Sequence, residues 1–150
     1  MPEFKTKKEV YERCVAEGYI IPRDKITLQK IKDSLQISEE DLASAKDSIN
    51  KKRWNSGYKA YYDVLRELIE AYISFDGVKP KNHQCLFAFV CVKHPELELN
   101  LEFFEKIRTK RNGINYYASK VSEEDWKEVQ LQFDININLF IKEINKKMTE

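Results

Sequence analysis

The segment Arg108-Thr-Lys-Arg-Asn-Gly-Ile-Asn-Tyr-Tyr-Ala118 carries the residue types best suited to chemistry in this chain. It sets a basic cluster, one glycine and paired tyrosines on what reads as an amphipathic helix. The apolar stripe beneath is Phe104, Ile107, Ile114 and Ala118, spaced close to the helical period. Arg111 falls inside that stripe, where a packing residue is expected. A guanidinium there must reach water along its aliphatic stem or find a partner, because an unpaired buried charge is costly. Its planar fork of donors suits a phosphate group, which it can hold through parallel hydrogen bonds.

The neighbours of Arg111 sort by their place on the helix. Arg108, Lys110 and Lys106 add positive charge, although the two lysines also fit a plain solvated face. Asn115 lies one turn beyond Arg111 and is its expected polar companion; Arg108 and Asn112 are a second pair at the same spacing. Tyr116 lies about 140° around an ideal helix from Arg111. Only about one phenol in a thousand is ionised at neutral pH, so Tyr116 suits proton donation or phosphate holding better than base work. Its plain role is packing or a dimer contact, and Tyr117 joins it as a candidate ligand contact. Gly113 permits a kink, or close approach between symmetry-related helices. Glu67 and Glu70 are expected to pair with Arg111.

Other chemistry is sparse. His83 and His94 have no ligand-like spacing, and a solvated or capping role is expected for each. Cys14, Cys85 and Cys91 are odd in number and lack a C-x-x-C pair, so they read as reduced, buried thiols. No metal site and no cofactor are indicated. The first residues lack the apolar core of a secretory signal, and Cys85 to Val92 is far shorter than the roughly 20 residues of a membrane span. A cytoplasmic location is expected. With 42% hydrophobic and 34% charged residues, the net charge of +1 argues against a broad nucleic-acid-wrapping surface but leaves room for a local basic groove.

The elements that must position these residues are helical. A first helix is expected from Lys5 to Glu17, closed by Gly18, followed by an extended or turn segment at Ile20-Ile21-Pro22. A second carries Leu28, Ile31 and Leu35. Ser38-Glu39-Glu40-Asp41 reads as the capped start of a third, carrying Leu42, Ala45 and Ile49, with Lys51-Lys52-Arg53 at its end. The strongest pattern runs from about Gly57 to Phe75 and stops at Asp76-Gly77. Asn82 is expected to cap a helix over His83 to Val92, and Asn100 to cap the basic helix. Ser122-Glu-Glu-Asp125 opens a last helix of about 25 residues. That helix bears two apolar lines, Trp126 through Met148 and Leu131, Ile135 and Leu139, hence two packing surfaces. Alternation from Phe133 to Leu139 also fits a strand, but the wider spacing favours helix. The fold is expected to be all-α, an antiparallel bundle with short connections.

The basic helix resembles the signature helix of the HEPN superfamily, which carries Arg-Asn followed within four to six residues by His. Arg111-Asn112 matches its first half; Tyr116 stands where histidine would be. Tyr61 through Ala71 resembles the long second core helix of prokaryotic members, Gly77 through His83 its exit, and Ser122 onward the last helix. The resemblance implies a small stand-alone HEPN-like protein, with residues 1–37 as an N-terminal helical extension and 38–150 as the bundle. It also implies a homodimer in which the signature helices meet at an Arg111-centred cleft. Many members are metal-independent endoribonucleases, often toxins of toxin–antitoxin or defence systems; others bind RNA, nucleotides or a partner nucleotidyltransferase. For this chain the resemblance implies a module that binds RNA, a nucleotide or a protein partner through Arg108, Lys110, Arg111 and Tyr117. The alternatives are a ribonuclease using Arg111, Asn112, Asn115 and Tyr116, and a purely structural helical partner.

Overall fold

The structure is a computed structural model that describes residues 6–150. Six helices and one short antiparallel strand pair make up its regular structure, with a single 3-10 turn, Pro95–Leu97. In chain order they are α1 (Lys7–Ala16), β1 (Ile20–Pro22), α2 (Leu28–Asn50), α3 (Trp54–Ser74), β2 (Val78–Pro80), α4 (His83–Lys93), α5 (Leu101–Tyr117) and α6 (Glu123–Met148). The expected all-α bundle is what forms. Lys5, the expected start of α1, lies outside the described residues.

α3 is the central element, packed against α2, α4, α5 and α6. Its sequence dictates this, because apolar side chains cover most of its circumference and a helix of that kind needs neighbours on several sides. Tyr58 and Tyr61 meet Trp126 and Phe133 of α6, while Phe87 of α4 stacks on Phe104 of α5 at 4.9 Å between ring centres. Gly57 fixes the approach of α2 to α3, since a Cβ there would overlap the side chain of Ile49.

The caps anchor the loops. Asn82 accepts from the Cys85 N–H at 2.8 Å and Asn100 from the Glu102 N–H at 2.9 Å. Ser122 and Asp125 form a reciprocal capping box at the start of α6. Each satisfies backbone donors that helix geometry leaves free.

Two expectations need correction. Ser38 does not open a helix; it is buried in the middle of α2, and the expected division after residue 37 falls inside that helix. The stripe Ile31, Leu35, Leu42, Ala45 and Ile49 runs through Ser38 in register, so a break there would have split one packing face. Secondly, Cys14 and Cys85 are joined in a disulfide that ties α1 to the first turn of α4, and Cys91 alone is a free, buried thiol. Reduced thiols therefore no longer argue for a cytoplasmic location. Of the extended or turn segment expected at Ile20–Pro22, the extended form is present, paired with Val78–Pro80 so that Ile21 lies opposite Lys79. Among the described residues, no helix is long and apolar enough to cross a membrane.

α6 is helical throughout, including Phe133 to Leu139. Of its second apolar line, Leu131 and Ile135 are 70% and 56% exposed, so among the described residues nothing covers that surface.

Candidate functional site

α3, the N-terminus of α4 and α5 converge on an arginine cluster. α3 contributes Tyr62, Asp63 and Arg66, α4 contributes His83, and α5 contributes Glu105, Arg108, Arg111 and Asn115. The helical spacing of Tyr62 and Arg66 puts both on the side facing α4 and α5.

Arg111 is neither sealed nor free. Its side chain is 22% exposed, and its guanidinium lies over the Tyr62 ring, 5.4 Å from the ring centre. The Asn115 amide oxygen accepts from Nε and Nη1 at 3.2 Å each, in the amide orientation its neighbours require. Nη2 stands 3.7 Å from Asp63 Oδ1, too long for a hydrogen bond. That carboxylate oxygen is buried and accepts no hydrogen bond. Among the described residues, Arg111 Nη2 therefore makes no hydrogen bond, only this longer ion pair with Asp63.

The other two arginines are better matched. Arg66 donates to Glu70 at 3.0 Å and Glu67 at 3.5 Å, and Arg108 donates to Glu105 at 2.7 and 3.2 Å. The expected pairing of Glu67 and Glu70 with Arg111 is therefore replaced by pairing with Arg66, the residue before Glu67 and one helical turn before Glu70. Likewise Arg108 pairs with Glu105 and not with Asn112, because a carboxylate outcompetes an amide for a guanidinium.

His83 is half-buried beside this cluster, its Nδ1 2.9 Å from the Tyr62 hydroxyl. Burial, then the charges of Arg66, Arg111 and Arg108, push its pKa down to about 4. Burial also pushes Tyr62 up to about 12, although the three arginines pull the other way and Asp63 adds to the rise. Sequence reasoning missed His83, because its partner Tyr62 is 21 residues away. Of the solvated or capping role expected for His94, the capping half holds, at the C-terminus of α4, but the side chain is buried, with Nε2 2.6 Å from Asp76 and Nδ1 3.2 Å from both Tyr72 and Glu96.

The remaining candidates lie on the other side of α5. Lys110, Asn112, Gly113, Tyr116 and Tyr117 line an open cleft of about 1290 Å³, to which Thr6 and Lys7 also contribute; Arg111 is not among its lining residues. Lys106 and Lys110 are not simply solvated, for they pair with Glu128 at 3.0 Å and Asp125 at 3.2 Å on α6. Tyr116 and Tyr117 are 72% and 80% exposed. Beneath Gly113 the chain folds back, with Ala118 left-handed and the Ser119 N–H donating to the Gly113 carbonyl at 3.0 Å. Within one subunit, then, Arg111 and Asn115 come together, while Asn112 and Tyr116 face elsewhere. Among the described residues no group of His, Cys, Asp or Glu could hold a metal ion.

An all-α domain with an arginine cluster between its long third helix and its penultimate helix is the class these features define. The HEPN domain family matches residues 31–133, about two thirds of the chain, and the chain belongs to that family. No curated protein and no solved structure matches it.

Proposed function

We propose that this chain is a homodimeric HEPN module that binds the phosphate of RNA or of a nucleotide through Arg111. The observation that carries the reading is the state of that guanidinium: partly exposed, oriented by Asn115 and Tyr62, and without a hydrogen-bonded carboxylate. A side chain held in place with donors to spare is suited to an anion from outside the subunit. Arg108 supports it at the same face. Lys110 and Tyr117 belong to the opposite cleft, where an RNA strand or a second subunit would find them.

Dimer formation is supported by the exposed line of Leu131 and Ile135 and by the exposed Tyr116 and Tyr117. A nucleotidyltransferase partner or a toxin–antitoxin setting fits the family, but no particular feature of this chain favours either. The ribonuclease reading through Arg111, Asn112, Asn115 and Tyr116 gains no support from a single subunit, since Asn112 and Tyr116 lie away from Arg111.

The test is binding of labelled single-stranded RNA and of a nucleotide to the full chain, alongside Arg111→Ala. Binding that weakens with salt and is lost in the variant supports the reading. Equal binding by both proteins, or none by either, overturns it. Sedimentation should give about twice the chain mass of 17.8 kDa; a monomer at high concentration removes the dimer. Cleavage of RNA in the presence of chelator, absent in Arg111→Ala, would revive the ribonuclease.

A further inference from the structure

We propose that two copies of this chain meet along the outer face of α6, laid antiparallel across a two-fold axis at Ile135. This specifies the dimer of the reading above and rests on it, but not on Arg111.

Helix geometry sets the face apart. The buried side of α6 is Trp126, Val129, Phe133, Ile137, Phe140 and Ile144. At about 100° per residue, Ile135 lies about 160° around the axis from both Phe133 and Ile137. It points away from the subunit's own core, as does Leu131 one turn earlier, and both are exposed. Residues 129–141 carry a single charge, Asp134, in a chain with 34% charged residues. The polar neighbours on the face itself, Gln132 and Asn138, are uncharged amides. A merely solvated face would carry the charges that cover the rest of this surface, so a neutral strip calls for a cover.

Charge then selects the occupant. On the Ile135 face, acids stand before the strip and bases after it: Glu124 and Glu128, then Lys142 and Lys146, all exposed. Glu124 and Lys146 are each eleven residues from Ile135, Glu128 and Lys142 each seven, and Leu131 and Leu139 each four. An antiparallel second copy therefore brings Glu124 level with the partner's Lys146 and Glu128 level with the partner's Lys142. Leu131 comes level with the partner's Leu139, and two-fold symmetry makes every match twice. A parallel copy would set glutamate beside glutamate and lysine beside lysine, so the pattern fits one orientation.

Two plainer causes of this charge pattern fall short. The helix dipole accounts for Glu124 and Lys146 in the first and last turns, but its effect fades within a turn and does not reach Glu128 or Lys142. Ion pairs within the subunit engage only part of the set: Glu128 with Lys106 at 3.0 Å and Lys146 with Glu143 at 3.6 Å. Glu128 and Lys146 stay exposed in those pairs, which are weakly held and open to exchange. Among the described residues no ion pair holds Glu124 or Lys142.

Sedimentation of the full chain over a concentration series tests the seam. The native chain should dimerise. Ile135→Asp brings two carboxylates together on the axis and should weaken dimerisation about hundredfold or more. Because Ile135 is exposed in one subunit, this variant should keep its helical circular dichroism. Glu124→Lys with Glu128→Lys, and separately Lys142→Glu with Lys146→Glu, should each weaken the dimer about tenfold at low salt, and less as salt rises. An equal mixture of those two proteins should dimerise again, which also shows that both are folded. In a parallel pair, each change would only exchange one like-charged set for another. A native dimer that survives in Ile135→Asp, charge variants that dimerise like the native chain, or a mixture that stays monomeric overturns the α6 seam and leaves the dimer of the reading above. A native chain that is monomeric at high concentration leaves this face to a different occupant and overturns both.

Discussion

The Tyr62 hydroxyl and the Nδ1 of His83 lie 2.9 Å apart, joining the middle of α3 to the first residue of α4. Each group alters the other's surroundings: both are withdrawn from water, and both sit in the field of Arg66, Arg108 and Arg111. The contact makes the arginine cluster a property of three helices.

One consequence is a dependence of stability on pH. The unfolded imidazole titrates near its ordinary value of 6.5, while the folded one titrates at about 4. Between those values the unfolded chain binds the extra proton, so this group's contribution to stability falls as pH drops from 6.5 to about 4. Urea midpoints measured across that window should fall less steeply for His83→Gln than for the native chain. Parallel profiles would show that His83 is not held neutral.

Gly57 sets the distance between α2 and α3. Gly57→Ala forces its new methyl into Ile49 and should cost about 1–3 kcal/mol, the usual range for overpacking. Adding Ile49→Ala should recover part of that loss. Denaturant melts of the two single variants and the double variant give the coupling, and simple additivity would contradict the close contact.

The Cys14–Cys85 bond spans 71 residues of sequence. Its removal, by Cys14→Ser with Cys85→Ser or by a thiol reductant, should destabilise the protein by about 2–4 kcal/mol through the freed unfolded chain. Mass spectrometry after alkylation of the denatured, unreduced protein should find one modified thiol, that of Cys91. Three modified thiols would show that the bond does not form.

Ser122 and Asp125 exchange hydrogen bonds at 3.0 and 2.9 Å. Ser122→Ala leaves backbone donors of α6 without a partner and should cost about 1 kcal/mol. Thermal melting checks it; Ser38→Thr, at a buried helix-interior position, gives no cap to lose and probes packing instead.

That last pair explains what the sequence made legible. Ser38-Glu-Glu-Asp41 and Ser122-Glu-Glu-Asp125 are the same four residues, yet only the second is a cap. Before Ser122 the chain has left its helix through the left-handed Ala118, whereas before Ser38 an apolar stripe is already running in register. Local capping chemistry is readable, but whether a helix is already under way takes precedence over it. Helix type and the caps at Asn82 and Asn100 were legible because their causes lie within a few residues. The i, i+4 contact of Arg111 with Asn115 was legible for the same reason. The partners of Cys14 and His83 were not, because each meets a residue many turns away that only the packing of α3 and α4 brings near. Arg111 posed a third kind of difficulty: its place in the stripe signalled a special role, but the choice of Asp63 over Glu67 or Glu70 depended on Arg66 taking the latter two.

The bond between Cys14 and Cys85 encloses α2 and α3 entirely and leaves α5 and α6 outside. A single backbone cut anywhere between those cysteines would therefore release no fragment until the sulfurs were separated. Tension applied between residue 85 and the C-terminus would meet no such closure, and would peel away the helix bearing Arg111 while the enclosed hairpin stayed whole.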